Sequence, residues 1–169
     1  LKSIDLTNVT SFDDGAFINS GIESVIFAKK YDLPDDFFKD TKSLVSIDIS
    51  GAKTIGKGVF YGSHVEFVKM PTSYALEGYT FAKTNNLASI DLSGATRLGE
   101  GDFIESSIEK VVLPKNYNLP DYYFMKTRAL KSVDISNAND IGAGVFAFSN
   151  IENIVFPKQF KLSEGMLQY

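Results

Sequence analysis

Four aspartates, Asp5, Asp48, Asp91 and Asp134, recur 43 residues apart, each inside the same short phrase. A column of carboxylates can do general acid–base chemistry, ligate calcium or form a polar binding face, and distance separates these uses. On every second strand of a parallel stack, neighbouring carboxylates would lie roughly 10 Å apart. Glycosidase pairs work at about 5 to 9.5 Å, and calcium needs oxygens at about 2.3–2.6 Å. The column therefore reads as a solvated repeat surface, with a ligand-reading face as the sharper alternative. His64 is the sole histidine and no cysteine is present, so neither a zinc site nor a catalytic dyad can be assembled around it. Gly56-Lys57-Gly58 follows no nucleotide-binding strand pattern and reads as turn chemistry. Asn8-Val9-Thr10 is a glycosylation sequon, meaningful only in a eukaryotic source.

These residues are positioned by a repeat. Leu1-Lys-Ser-Ile-Asp-Leu returns as Leu44-Val-Ser-Ile-Asp-Ile, Leu87-Ala-Ser-Ile-Asp-Leu and Leu130-Lys-Ser-Val-Asp-Ile, with no slippage. A fixed period in the 20–50 range marks stacked repeat architecture. Each unit divides into two coils of 21 or 22 residues, starting at residues 1, 22, 44, 65, 87, 108, 130 and 151. Counting the first residue of a coil as position zero, apolar residues fall at zero, three, five and eleven, and an aromatic at sixteen. Alternation around positions three and five predicts a short half-buried strand, and the Gly and Pro that follow turn the chain. One coil cannot bury such a stripe alone, whereas stacked coils can.

Two columns support stacking. Position sixteen holds Phe17, Phe38, Phe60, Phe81, Phe103, Phe124 and Phe146, then Leu167. These form a core spine. Position nineteen holds Ser20, Thr41, Ser63, Thr84, Ser106, Thr127 and Ser149. Hydroxyls recurring in every coil are not nucleophiles; they are expected to bond backbone groups at the turn, so that losing the Ser63 hydroxyl should cost stability. In even-numbered coils, Leu33-Pro-Asp and Leu119-Pro-Asp place Pro at a helix start and acids in the first turn. That predicts a single helical or 3₁₀ turn. The tyrosines Tyr31, Tyr74 and Tyr117 cap the core edge or, as the alternative, offer rings for sugar stacking.

Bulk properties narrow the function. The chain has 169 residues, 44% hydrophobic content and a net charge of −4. Lys and Arg are scattered, without the basic stripe that nucleic-acid binding needs. No apolar run is long enough to span a bilayer. The chain opens on Leu in mid-motif and stops at Tyr169, short of a full coil, which predicts a fragment of a longer array whose open ends could self-associate.

The outward strand positions are two and four. Strict repetition there breaks at the centre, where Phe67 and Lys69 replace Ser or apolar residues, and Lys110 replaces Ser. Asp48 and Asp91 flank Lys69 on adjacent strands. Read as structure, this is an exposed ion pair worth about 0–1 kcal/mol. Read as function, it is an aromatic and charge cluster suited to a partner. The candidate ligand-binding set is Asp48, Phe67, Lys69, Asp91, Lys110 and Asp134, with the convex tyrosines Tyr79, Tyr122 and Tyr123 as the next candidate. The exposed column Glu23, Glu66, Glu109 and Glu152, with Lys131, reads as surface pairing.

Taken together, Leu-x-x-Ile-x-Leu, Ile-Gly-x-Gly-x-Phe-x-x-Ser and Ile-Glu-x-Val-x-x-Pro resemble the BspA-type leucine-rich repeats across all 169 residues. The Asn of the common leucine-rich form is replaced by Ala52, Ala95 and Ala138, which sets the chain apart from the ribonuclease-inhibitor kind. The resemblance implies an α/β-type leucine-rich-repeat solenoid, mostly β. It would be one repeat domain over residues 1–169, with a curved parallel sheet of about eight short strands and one-turn helices on the convex side. It further implies a secreted or cell-surface protein without cofactor or enzymatic activity, binding a host or cell-surface protein or glycan through its concave face. A passive spacer is the alternative.

Overall fold

A computed structural model describes residues 1–168. Fourteen short strands are arranged in two rows. The chain runs β1 (Ser3–Leu6), β2 (Ser24–Phe27), β3 (Tyr31–Leu33), β4 (Ser46–Asp48), β5 (Ala52–Ile55), β6 (Phe67–Lys69) and β7 (Tyr74–Ala75). It continues through β8 (Ser89–Asp91), β9 (Ala95–Arg97), β10 (Lys110–Val112), β11 (Tyr117–Leu119), β12 (Ser132–Asp134), β13 (Ala138–Ile141) and β14 (Asn153–Val155). All pairing is parallel, which gives the expected solenoid.

The pairing alternates. In the concave row β1 pairs with β2, β4 with β6, β8 with β10 and β12 with β14, each inside one 43-residue unit. The second row, which the periodicity did not reveal, pairs β3 with β5, β7 with β9 and β11 with β13, each across a unit boundary. Concave strands are thus hydrogen-bonded within units, and the coils of neighbouring units are joined one row further along. The row expected to be one sheet of eight strands is four two-stranded ladders.

The far side contains turns and no helix among the described residues. The expected helical turn fails because two residues per coil are left-handed. Position fourteen has φ near +60° in every coil, from Gly15 and Asp36 to Gly144 and Gly165. Position eighteen does the same from Asn19 to Phe148. A left-handed residue every fourth position breaks helical propagation. Backbone N–H groups then bond the next coil instead: Asp36, Phe38 and Asp40 donate to the carbonyls of Lys57, Val59 and Tyr61 at 2.8 Å. This ladder satisfies donors that a buried turn would orphan.

Inside, the phenylalanine spine is a stack. Phe38, Phe60, Phe81, Phe103, Phe124 and Phe146 sit with ring centroids 5.6 to 5.8 Å apart and planes within 18° of parallel. All are buried. In the last coil Met166 is buried and Leu167 is 39% exposed, so the spine ends at Phe146. The hydroxyl column divides. Thr41, Thr84, Thr127 and Ser149 donate to the carbonyl three residues back, at 2.7–2.8 Å. The hydroxyls of Ser20, Ser63 and Ser106 are buried without a partner among the described residues, which overturns the expected role of Ser63. The β-branch restricts the threonine rotamers, including one that bonds this carbonyl, whereas serine is freer and makes the bond in Ser149 alone of the four serines.

Candidate recognition face

The aspartate column has a structural task first. Oδ1 of Asp5, Asp48, Asp91 and Asp134 accepts the backbone N–H two residues on, from Thr7, Ser50, Ser93 and Ser136, at 2.8–2.9 Å. Each carboxylate closes the turn that ends its strand. The intervening coils place Ile26, Lys69, Val112 or Val155 at that position and Ala28, Pro71, Pro114 or Pro157 two residues later. Proline has no N–H to satisfy, so the acid is dispensable there.

Lys69 stands where the other even-numbered coils have Ile26, Val112 or Val155. Its Nζ lies 2.7 Å from Asp48 Oδ2 across the β4–β6 ladder. The Lys69 ammonium, then the Ser50 hydroxyl and N–H, hold the Asp48 carboxyl down at about 2. Hydrogen bonds from Ser93 likewise keep Asp91 below its ordinary range. Lys69 therefore engages Asp48, and Asp91 remains available. Lys110, paired in register with Ser89, has no ion-pair partner among the described residues.

Between β6 and β8, on either side of a unit boundary, no backbone ladder forms. A groove of about 630 Å³ opens there, walled by Phe67, Lys69, Asp91, Lys110 and Val112 and floored by Val68, Met70, Pro71 and Ile90. Phe67 is 62% exposed, an unusual position for a large aromatic. Of the six residues expected to form the site, four line this groove. Asp48 reaches it through Lys69, and Asp134 lies two strands beyond Asp91, outside it.

The same boundary carries an irregularity that the sequence reading missed. Asp102 occupies position fifteen, where other coils place Phe37, Val59, Tyr123, Val145 or Met166, and it is fully buried. Its oxygens accept the N–H of Thr80 at 3.1 Å and of Gly99 at 2.9 Å, joining coils 4 and 5. Burial pushes its pKa up to about 7, against the pull of those two donors. At regular boundaries the exposed Asp35 and Asp121 cap Lys57 and Ala143 in the next coil. Coil 4 has Gly78 in place of that aspartate, and a Cβ on Gly99 would meet the Gly78 nitrogen at 2.2 Å. The signal was legible as the one acid in a column that is otherwise apolar but for Thr80 in the coil before it.

Other expectations are corrected. Tyr123 is buried in the core and cannot serve a convex surface, although Tyr122 is 41% exposed. Tyr31, Tyr74 and Tyr117 are buried, so they cap the core edge and offer no ring for sugar stacking. In the glutamate column, Lys2 pairs with Glu23 at 2.9 Å and Lys131 with Glu152 at 3.1 Å. Among the described residues no helix is long and apolar enough to cross a membrane.

The profile of the BspA type leucine rich repeat region matches in six copies, over residues 1–77 and 53–167. The chain belongs to the BspA-type leucine-rich repeat family. No curated protein matches it. Leucine-rich-repeat solenoids are in general interaction scaffolds without chemistry of their own, and the face described above is the part of this one that departs from its repeat.

Proposed function

We propose that this leucine-rich-repeat solenoid is a non-enzymatic recognition module of a secreted or cell-surface protein, binding a protein partner on its concave face at coils 4 to 6. The observation that carries the reading is the groove between β6 and β8, strands that do not pair, where Phe67 and Lys69 of β6 meet Asp91 of β8 and Lys110 of its partner β10. Grooves of a few hundred cubic ångströms with an apolar floor and a few polar groups are where ligand atoms gain most on desolvation. The strands that present these side chains are fixed from the other face by the phenylalanine stack. Exact repetition of the face would instead suit a passive spacer, and the replacements at Phe67, Lys69 and Lys110 speak against it.

The test is a variant carrying Phe67→Ala and Lys69→Glu, assayed against immobilised cell-surface and matrix proteins after the wild-type chain has identified a binder. Loss of two hot-spot contacts should weaken binding about thirtyfold or more. Stability should change by less than about 0.5 kcal/mol per exposed site. Full-strength binding by the double variant would remove the site from this face.

A further inference from the structure

The concave face has a rhythm beyond the groove. Even-numbered coils expose an apolar side chain, at position four in Ile26 (59% exposed), Val112 (43%) and Val155 (55%) and at position two in Phe67 (62%), because Lys69 takes position four of coil 4. Odd-numbered coils expose an aspartate at position four, level with Ile26, Lys69, Val112 and Val155. One oxygen of Asp5, Asp91 and Asp134 caps a turn, and the other has no protein partner among the described residues. Four aspartates face two lysines across positions two and four, and Lys69 is already spent on Asp48. The face is therefore a series of apolar and acidic stripes, about 4.8 Å apart where strands pair within a unit, somewhat further apart at the unpaired boundaries, and repeating once per unit at roughly 10 Å.

Resting on the concave-face reading, we propose that the partner presents a cationic amphipathic α-helix laid along the solenoid axis, with large apolar residues every seven positions and Lys or Arg three or four positions after each. The spacings select this occupant. A helix rises about 1.5 Å per residue, so seven residues cover about 10.5 Å and three or four cover about 4.5–6 Å, all on one face. An extended strand offers same-face residues only every 6.6–6.8 Å or so, out of step with both stripes. A polyproline helix matches the apolar repeat at about 9.3 Å but turns its intermediate residues away. Charge decides the polar half: among the described residues the free oxygens of Asp5, Asp91 and Asp134 outnumber the one unpaired lysine of the face, Lys110, and call for cations. Phe67 supplies the central apolar contact where Lys69 interrupts the column.

The probe is an acetylated, amidated 21-residue peptide of three heptads, with Leu at the first position, Lys at the fourth, and Ala and Gln elsewhere. Two controls replace the Lys by Glu, or redistribute the same Leu and Lys to a five-residue spacing. Binding is read by titration calorimetry and by backbone amide shifts. The probe should bind at least tenfold more tightly than either control, with shifts along β6, β8, β10 and β12. Asp91→Asn with Asp134→Asn keeps both turn caps and should weaken the probe severalfold while reducing its salt dependence. Equal affinity for the redistributed peptide, or no shifts at millimolar probe, overturns the proposal. A natural binder that requires Phe67 and Lys69 alongside a silent probe would leave the concave site standing and remove only the helix.

Discussion

The boundary between coils 2 and 3 and the boundary between coils 4 and 5 solve one problem in two ways. At the first, Asp35 sits outside, follows Pro34, and caps the Lys57 N–H of the next coil. At the second, Gly78 takes that place, the backbones close in on Gly99, and a buried Asp102 reaches back to hold Thr80 and Gly99. On the opposite face, the first boundary presents a smaller groove beside Ile26, while the second presents the larger one walled by Phe67 and Lys110. A repeat can thus exchange an exposed acid for a buried one without losing register. The exchange makes that boundary sensitive to pH.

The largest expected effect is common to both boundaries and tests the stack that joins them. Phe60→Ala or Phe103→Ala should each cost about 3–5 kcal/mol through lost burial and a cavity, read as a shift in urea midpoint. Near-neutral results would mean that the spine is not continuous through the central coils.

The next separates the boundaries. Asp102 has a folded pKa of about 7 against a reference of 3.8. Between those values the native state keeps a proton that the unfolded chain has released. Stability should therefore fall as pH rises from about 4 to about 7, by a few kcal/mol in all, and level off above. The turn-capping carboxylates Asp48 and Asp91 act in the opposite sense and at lower pH, because their pKa values are depressed. Asp102→Val introduces the residue type that coils 3 and 7 already have at this position. It should flatten the profile between pH 4.5 and 7.5. An unchanged slope in Asp102→Val would assign the pH dependence elsewhere.

Smaller effects divide the hydroxyl column. Thr84→Val removes a hydroxyl bonded to the Phe81 carbonyl and should cost about 1 kcal/mol. Ser63→Ala removes a buried hydroxyl with no partner, so its midpoint should not fall, and may be checked in the same titration. Lys69→Met breaks an exposed pair and should change stability by about 0–1 kcal/mol at most.

Much of this molecule was legible in its residues. The 43-residue period, the phenylalanine spine and the outward positions two and four follow from side-chain pattern, because burial imposes that pattern directly. What stayed hidden lies in the backbone. Nothing in the sidedness of Asp36, Tyr79 or Lys83 announces a left-handed conformation, and so a turn was read as helical. Ladder pairing at alternate boundaries depends on small differences in coil approach that composition does not encode. The site was half legible: Phe67, Lys69 and Lys110 stand out as substitutions in a repeat. Their gathering around one groove with Asp91, and the exclusion of Asp134, depend on which strands part.

The central claim is that recognition occurs on the concave strands of coils 4 to 6. Amide hydrogen exchange of the chain with and without its identified binder tests it most directly. The account predicts added protection confined to Phe67–Lys69, Ser89–Asp91 and Lys110–Val112 and the turns that follow them. Protection centred instead on the convex side, around Tyr61, Tyr79 and Tyr122, would contradict it.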